Sequence, residues 1–198
     1  MARYSAGHKD QTRQRIIETA GRRFKRGGID GSGIAAIMSD ADLTNGAFYA
    51  HFTSKDDLVA NVVADQMNRW RTGMDSSTPG REALEEFVRA YLSARHRDHP
   101  DTGCPSAALL EEIGRCDKTT RRAYSAGLQE IIETIGMHLS PQDPAAARTQ
   151  AIGLLTVLIA TMQLARAVPD RRLSKEILES GIRNAQNIID SVSSRERA

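Results

Sequence analysis

The stretch from Ser32 to Leu58, SGIAAIMSDADLTNGAFYAHFTSKDDL, limits the fold of this chain more than any other. Ile34, Ile37, Met38 and Ala41 recur at helical spacing, and Ser32 is placed to cap them. The break that follows, Asp42-Leu43-Thr44, holds an Asp that tolerates the left-handed conformation of a tight inter-helix turn. Thr44 then caps a second short helix that opens with Asn45, Gly46 and Ala47. Phe48 and Phe52, four apart, anchor that helix to a core, while Tyr49 and His51 fall off the apolar stripe and point outward. Ser54-Lys55-Asp56-Asp57, with Thr53 before it and Leu58 after it, reads as a capping box that starts a third helix at once. This is the layout of a helix-turn-helix with a connecting helix, and it makes duplex DNA the first candidate partner. Small residues at the start of the second helix let its backbone approach base edges in a major groove about 12 Å wide.

Charge points the same way. Of 198 residues, 27 are Lys or Arg and 25 are Asp or Glu, a formal balance of +2. Residues 1–26 hold eight of the bases and two of the acids, which leaves 19 against 23 for residues 27–198. A basic head of +6 on a body of −4 suits a chain that meets phosphates at one end.

The string LTNGAFYAHFTSKDDL is similar to the recognition-helix signature of the TetR family of transcriptional regulators, roughly G-V-S-x-G-x-x-Y-x-H-F-x-S-K-x-x-L. RYSAGHKDQTRQRIIETAGRRF likewise looks like the first helix of such regulators, so the resemblance covers about residues 10–60. It departs from the family at Asp42, where Gly is usual and where an acid stands close to phosphates, and at Gly33, where Ser or Thr is common. The resemblance implies base or groove contacts for Asn45, Gly46 and Ala47, and backbone contacts for Ser32, Thr44, Tyr49, His51 and Lys55. Thr12 and Arg13 in the basic arm are added as phosphate contacts.

The expected fold class is all-α, with a helix-turn-helix head over residues 1–53 and a helical ligand-binding and dimerisation body over 54–198. Ile16, Ile17, Ala20 and Phe24 share one face of the first helix, which Gly27-Gly28 ends. Leu58, Val62, Val63, Met67, Trp70 and Met74 follow the capping box, and 76–80 is a loop. A stripe from Leu84 to Leu92 is broken at His99-Pro100. Helices follow over about 107–113 and 118–139, then from Asp143-Pro144 to Val168, and from Ser174 to about Val192 with Leu173 stapled to Leu178. The helix before Val168 is apolar nearly all round, so Leu154, Leu155, Leu158 and Met162, with Ile182 and Ile189 on the last helix, are expected to meet a second copy of the chain.

In a TetR-like body the middle helices enclose a ligand cavity, and Trp70, Tyr91, Leu110 and Tyr124 are the expected lining for an unknown small-molecule effector. Cys104, in Thr102-Gly103-Cys104-Pro105, stands at a helix start where the dipole lowers a thiol pKa, which makes it a candidate redox or electrophile sensor, with Cys116 as its control. On one helix those two cysteines would lie roughly 18 Å apart, too far for a disulfide. The five histidines show no metal-ligand spacing, and no phosphate loop or nucleophile arrangement is present, so neither a metal, a cofactor nor an enzymatic activity is expected. No apolar run reaches the roughly 18 residues of a membrane span and no signal sequence opens the chain, so the expected location is the cytoplasm. The expected function is a ligand-responsive repressor acting as a homodimer on a palindromic operator. The alternative is a helical ligand- or partner-binding protein that does not bind DNA.

Overall fold

Helical periodicity runs through the computed structural model, which describes residues 3–75 and 79–195. The elements are α1 Arg3–Gly27, α2 Ile34–Asp40, α3 Asn45–Phe48, α4 Lys55–Asp75, α5 Arg81–Tyr91, α6 Ala94–Asp98, a 3-10 turn Pro100–Thr102, α7 Pro105–Arg115, α8 Lys118–Leu139, α9 Arg148–Ala167 and α10 Arg171–Arg195. No strand occurs among the described residues. Residues 76–78 of the expected loop lie outside them.

The first three helices close over Ile16, Ile17, Ala20, Phe24, Ile37, Met38, Phe48 and Phe52, all buried. Gly28 ends α1 at φ +80°, a conformation that costs other residues Cβ strain. The connecting helix α4 adds Leu58 and Val62 to that core and then runs into the body, where it packs most extensively on α8. The body's second large pair is α9 on α10, joined to the first through α8 and α9. Asp117 caps α8 by accepting from Thr120 N–H at 2.8 Å, so that helix begins and ends where its sequence says.

Several boundaries differ from the expectation. The α5 stripe stops at Leu92 because Ser93 starts a new helix, its Oγ accepting from His96 N–H; His99-Pro100 ends only that short second piece. Asp143 does cap, accepting from Ala146 N–H at 3.1 Å, but it caps a turn, and α9 proper begins five residues later at Arg148. Asp170 caps α10, which begins at Arg171, three residues before the expected start; this places Leu173 inside the helix, 43% exposed, rather than ahead of it as a staple.

Helix α9 carries the largest correction. Leu154, Leu155, Leu158 and Met162 are buried within a single chain, as is Ile189 on α10, and Ile182 packs half-buried against them. Four neighbours, α6, α7, α8 and α10, pack on α9, so an all-round apolar helix finds most of its cover in its own chain. Its open side carries Ile152, Thr156, Ala160 and Leu164 instead. By length and composition α9 is also apolar enough to cross a membrane, with a mean hydropathy of 1.3 over its best window. The buried residues just named are how the core helix of a folded chain uses that composition.

Candidate nucleic-acid interface

The turn between α2 and α3 is built by Asp42, the one described non-glycine residue with positive φ, at 53°. That conformation lets Leu43 N–H reach back to the Met38 carbonyl at 2.9 Å and closes α2 as a glycine would. Asp42 is thus a working replacement for the glycine usual in the family. Thr44 then occupies the N-cap of α3 in extended conformation, but its hydroxyl makes no cap bond, which leaves it free at the surface.

Helix α3 is one turn long and is held from below. Phe48 and Phe52 are buried with ring centroids 5.6 Å apart, and Tyr49 stands edge-on to Phe48 at 5.2 Å while 70% exposed. Asn45 and Gly46 are exposed and Ala47 half-buried. Nothing lies within 4 Å of where a Gly46 Cβ would stand, so Gly46 is open on its outer side. The Thr44–Tyr49 segment thereby presents a hydroxyl, an amide, a bare backbone and a phenol on one rigidly seated surface. His51 sits half-buried beside it, and its Nδ1 is shielded without a hydrogen-bond partner. Desolvation, with Lys9 and Arg13 close by, lowers the His51 pKa. The neutral ring therefore has one N–H to offer outward.

Behind this surface a polar relay fixes the start of α4. Ser54 Oγ accepts from Asp57 N–H at 3.0 Å, and Asp57 Oδ2 accepts from Thr53 N–H at 2.9 Å, a capping box shifted outward by one residue. Asn61 donates to Asp57 Oδ1 at 2.8 Å and accepts from the Arg13 guanidinium at 2.7 Å. Arg13 also lies over the Phe52 ring at 4.9 Å. Asn61 is a positioning residue the sequence reading missed, because nothing local to it signals a partner 48 positions away. Lys9 was missed too. It is exposed, one helical turn before Arg13 and near His51.

Four expected contacts sit differently. Ser32 does not cap α2; it is buried, its Oγ donates to the Gly28 carbonyl at 2.8 Å, and Gly33 holds the N-cap position. No side-chain contact with a phosphate is open to it in this conformation. Thr12 donates to the His8 carbonyl at 2.9 Å and Arg13 is folded inward, so both act first as structure. Lys55 is half-buried at the start of α4 and lines an open cleft of about 290 Å³ with Asp30, Asp56, Glu112 and Asp117.

The expected effector residues do not share a wall. Trp70, Phe87 and Tyr91 pack as an aromatic cluster, with Trp70 centroids 5.3 and 5.2 Å from the other two rings. Tyr124 shares a hydrogen bond with Ser106 at 3.0 Å. Leu110 stands apart from them, 36% exposed on a cleft between α7 and α9. Cys104 does cap α7, but it is buried, and desolvation outweighs the helix start, pushing its thiol pKa up; burial also raises that of Cys116. Neither position favours a thiolate, which weighs against a reactive sensor at Cys104. Among the described residues no cluster of three or more His, Cys, Asp or Glu is placed to hold a metal.

The sequence profile described as "Bacterial regulatory proteins, tetR family" matches residues 16–62, which span α1 from Ile16 through the first turns of α4. The chain is 31% identical over 96 residues to the uncharacterized HTH-type transcriptional regulator TtgW of Pseudomonas putida, covering 48% of this chain and 72% of that protein. It is equally 31% identical over 96 residues to the HTH-type transcriptional regulator SrpR, also of Pseudomonas putida, where it spans 45% of the relative's length. Among solved structures, reduced NemR of E. coli superposes with a TM-score of 0.76 at 18% identity over 89% of this chain and 96% of that one. SCO4454, a TetR-family regulator from Streptomyces coelicolor, does so with a TM-score of 0.70 at 22% identity, over 93% and 97%. At such identities the likeness is one of fold.

Proposed function

We propose that this chain, which belongs to the TetR family of bacterial regulatory proteins, is a DNA-binding transcriptional regulator and, more closely, a ligand-responsive repressor acting as a homodimer on a palindromic operator. The observation that carries the DNA half is the surface of Thr44, Asn45, Gly46 and Tyr49, exposed on a helix seated by Phe48 and Phe52. Asn45, Gly46 and Ala47 approach bases, and Thr44, Tyr49, His51 and Lys9 meet phosphates. Lys55 joins them by turning out of its acidic cleft. Residues 1–53 form the head and 54–198 the body, with the first turns of α4 packed against α1.

Anisotropy with a duplex selected by the wild type from a random pool tests this reading. Tyr49→Ala is expected to weaken the selected duplex by about 10-fold or more with an unchanged melting temperature, since its side chain is largely exposed. Lys55→Ala should weaken selected and scrambled duplexes alike and reduce the salt slope by about one unit. Unchanged affinity in both variants would overturn the interface.

The dimer half rests on the open side of α9. Ile152 and Leu164 are 44% and 58% exposed, and Thr156 and Ala160 between them are small enough for a partner helix to come close. Two heads held by this face would enter successive major grooves about 34–36 Å apart, and an effector that prefers another spacing would pull the dimer off DNA by its differential affinity. Leu164→Glu is expected to leave a folded chain that sediments as a monomer and binds the selected duplex weakly. A variant that still sediments as a dimer would remove α9 from the interface.

A further inference from the structure

The cleft between α7 and α9, about 870 Å³, is walled in part by Lys25 and Arg166, which make no ion pair with a carboxylate among the described residues. Lys25 comes from the end of α1. It is buried, and its Nζ donates to the Gly103 carbonyl at 2.9 Å. Arg166 comes from α9 and donates to the carbonyls of His96 at 2.7 Å and of Arg97 and Ala107 at 3.2 Å. The two groups converge on Gly103, where a Cβ would stand 3.3 Å from an Arg166 terminal nitrogen.

Three acids near them are paired with other cations, and Glu112, like Glu111, lines the same cleft. Asp101 pairs with Arg26, Glu111 with Arg115, and Asp98 with Arg97 and Arg171, while Glu112 accepts from Ile29 N–H at 2.6 Å. His96 adds no charge of either sign to spare: burial lowers its pKa, its Nδ1 bonds the Tyr91 carbonyl at 2.7 Å, and its Nε2 accepts from Cys104 N–H at 3.1 Å. Carbonyl dipoles satisfy the donors of Lys25 and Arg166 but do not neutralise their charge, and an uncompensated buried charge is costly. Titration reflects that cost. Burial first, opposed by Cys104 and Asp101 and reinforced by Arg166, holds Lys25 down at about 8. Ala107, Leu110 and Ala167 form an apolar strip of the same wall, whose other side chains include Gln163, Arg115, Glu111 and Glu112. The volume lies in the range of small-molecule sites.

We propose that this cleft binds a small organic anion, its carboxylate between Lys25 and Arg166 and its apolar body along Leu110, Ala107 and Ala167. Because Lys25 belongs to the helix that carries the DNA-binding head, an anion that draws Lys25 off Gly103 changes how α1 seats on the 3-10 turn and α7. That regulatory half rests on the ligand-responsive reading above; the binding half does not.

Calorimetry with octanoate, 1-octanol and octylamine on the full chain tests the site. Octanoate is expected to saturate at one per chain and to bind at least ~10-fold more tightly than the alcohol or the amine. Below pH 8 Lys25 is already charged and octanoate affinity should be flat; above it binding must take up a proton, and affinity should fall by up to ~10-fold per pH unit. Lys25→Gln should cost at least ~10-fold and abolish that pH dependence. Leu110→Asp places an acid on the exposed rim of the cleft, so it should fold normally and lose octanoate as well. Equal binding of octanoate and octanol, or octanoate binding untouched by both variants, would overturn the site. Duplex anisotropy run in parallel separates the two readings: octanoate that binds through Lys25 yet leaves DNA bound sinks its regulatory half, whereas a wild type that binds no duplex sinks the repressor and leaves the site.

Discussion

Leu158→Glu is expected to unfold the chain rather than to split a dimer. Leu158 is fully buried in the middle of α9, in a layer with Leu154, Leu155 and Met162 that α8 and α10 cover. A carboxylate there finds no partner, so it is either protonated or drags water into the core. Together with the lost leucine contacts the cost is on the order of 5 kcal/mol. That is a large part of the roughly 5–15 kcal/mol that holds a domain folded. For a chain near 200 residues it corresponds to a drop of about 10–20 °C in melting temperature. Far-UV circular dichroism against temperature measures it. A Leu158→Glu protein that melts like the wild type and sediments as a monomer would show that this residue faces a partner after all. Leu164→Glu, six residues on and exposed, is the contrasting case in which the same charge should be tolerated by the fold.

The contrast between those two leucines marks where reading the sequence stops. Period, caps and glycines were enough for the helix-turn-helix, because each signal there is local: Asp42 at the turn, Phe48 and Phe52 on one stripe, Ser54 and Asp57 three apart. They were enough for α8 as well, bounded by Asp117 and Ser140. An all-round apolar helix is different. Its sequence says that every face is covered but not by what, and here α7, α8 and α10 cover most of it. Depth is equally hidden. Cys104 stands at the helix start its sequence indicates, yet burial reverses the effect that position would have on its thiol. The polar relay from Arg13 through Asn61 to Asp57 and the pair of Lys25 and Arg166 join residues far apart in sequence, so neither arrangement leaves a periodic trace.

Glycine at 127 is another such position, and Gly127→Val should damage the coupling between head and body. Gly127 lies on α8 where it crosses α4, and a Cβ there would stand 2.5 Å from the Met67 Cβ and 3.1 Å from its Cγ. Met67 Cβ is the root of a buried side chain, so no rotamer change relieves the overlap; the two helices must part. Overpacking of this kind costs about 1–3 kcal/mol, partly offset by about 1 kcal/mol that leaving glycine contributes to an α-helix. Valine's branched Cβ reduces that offset and enlarges the clash, so a net loss of about 2 kcal/mol is expected, or about 4–8 °C in melting temperature. Because α4 enters the head at Leu58 and Val62 and pairs with α8 in the body, parting them also tilts the recognition surface, and affinity for the selected duplex should fall beyond what the stability loss explains. Gly114→Ala is the control. Nothing lies within 4 Å of its Cβ position near the end of α7, so the same departure from glycine should there stabilise the chain by up to about 1 kcal/mol. Melting curves of the two variants should therefore move in opposite directions from the wild type. If both moved upward, the helices α4 and α8 would have room to spare at this crossing, and the close approach could not be what ties the head to the body.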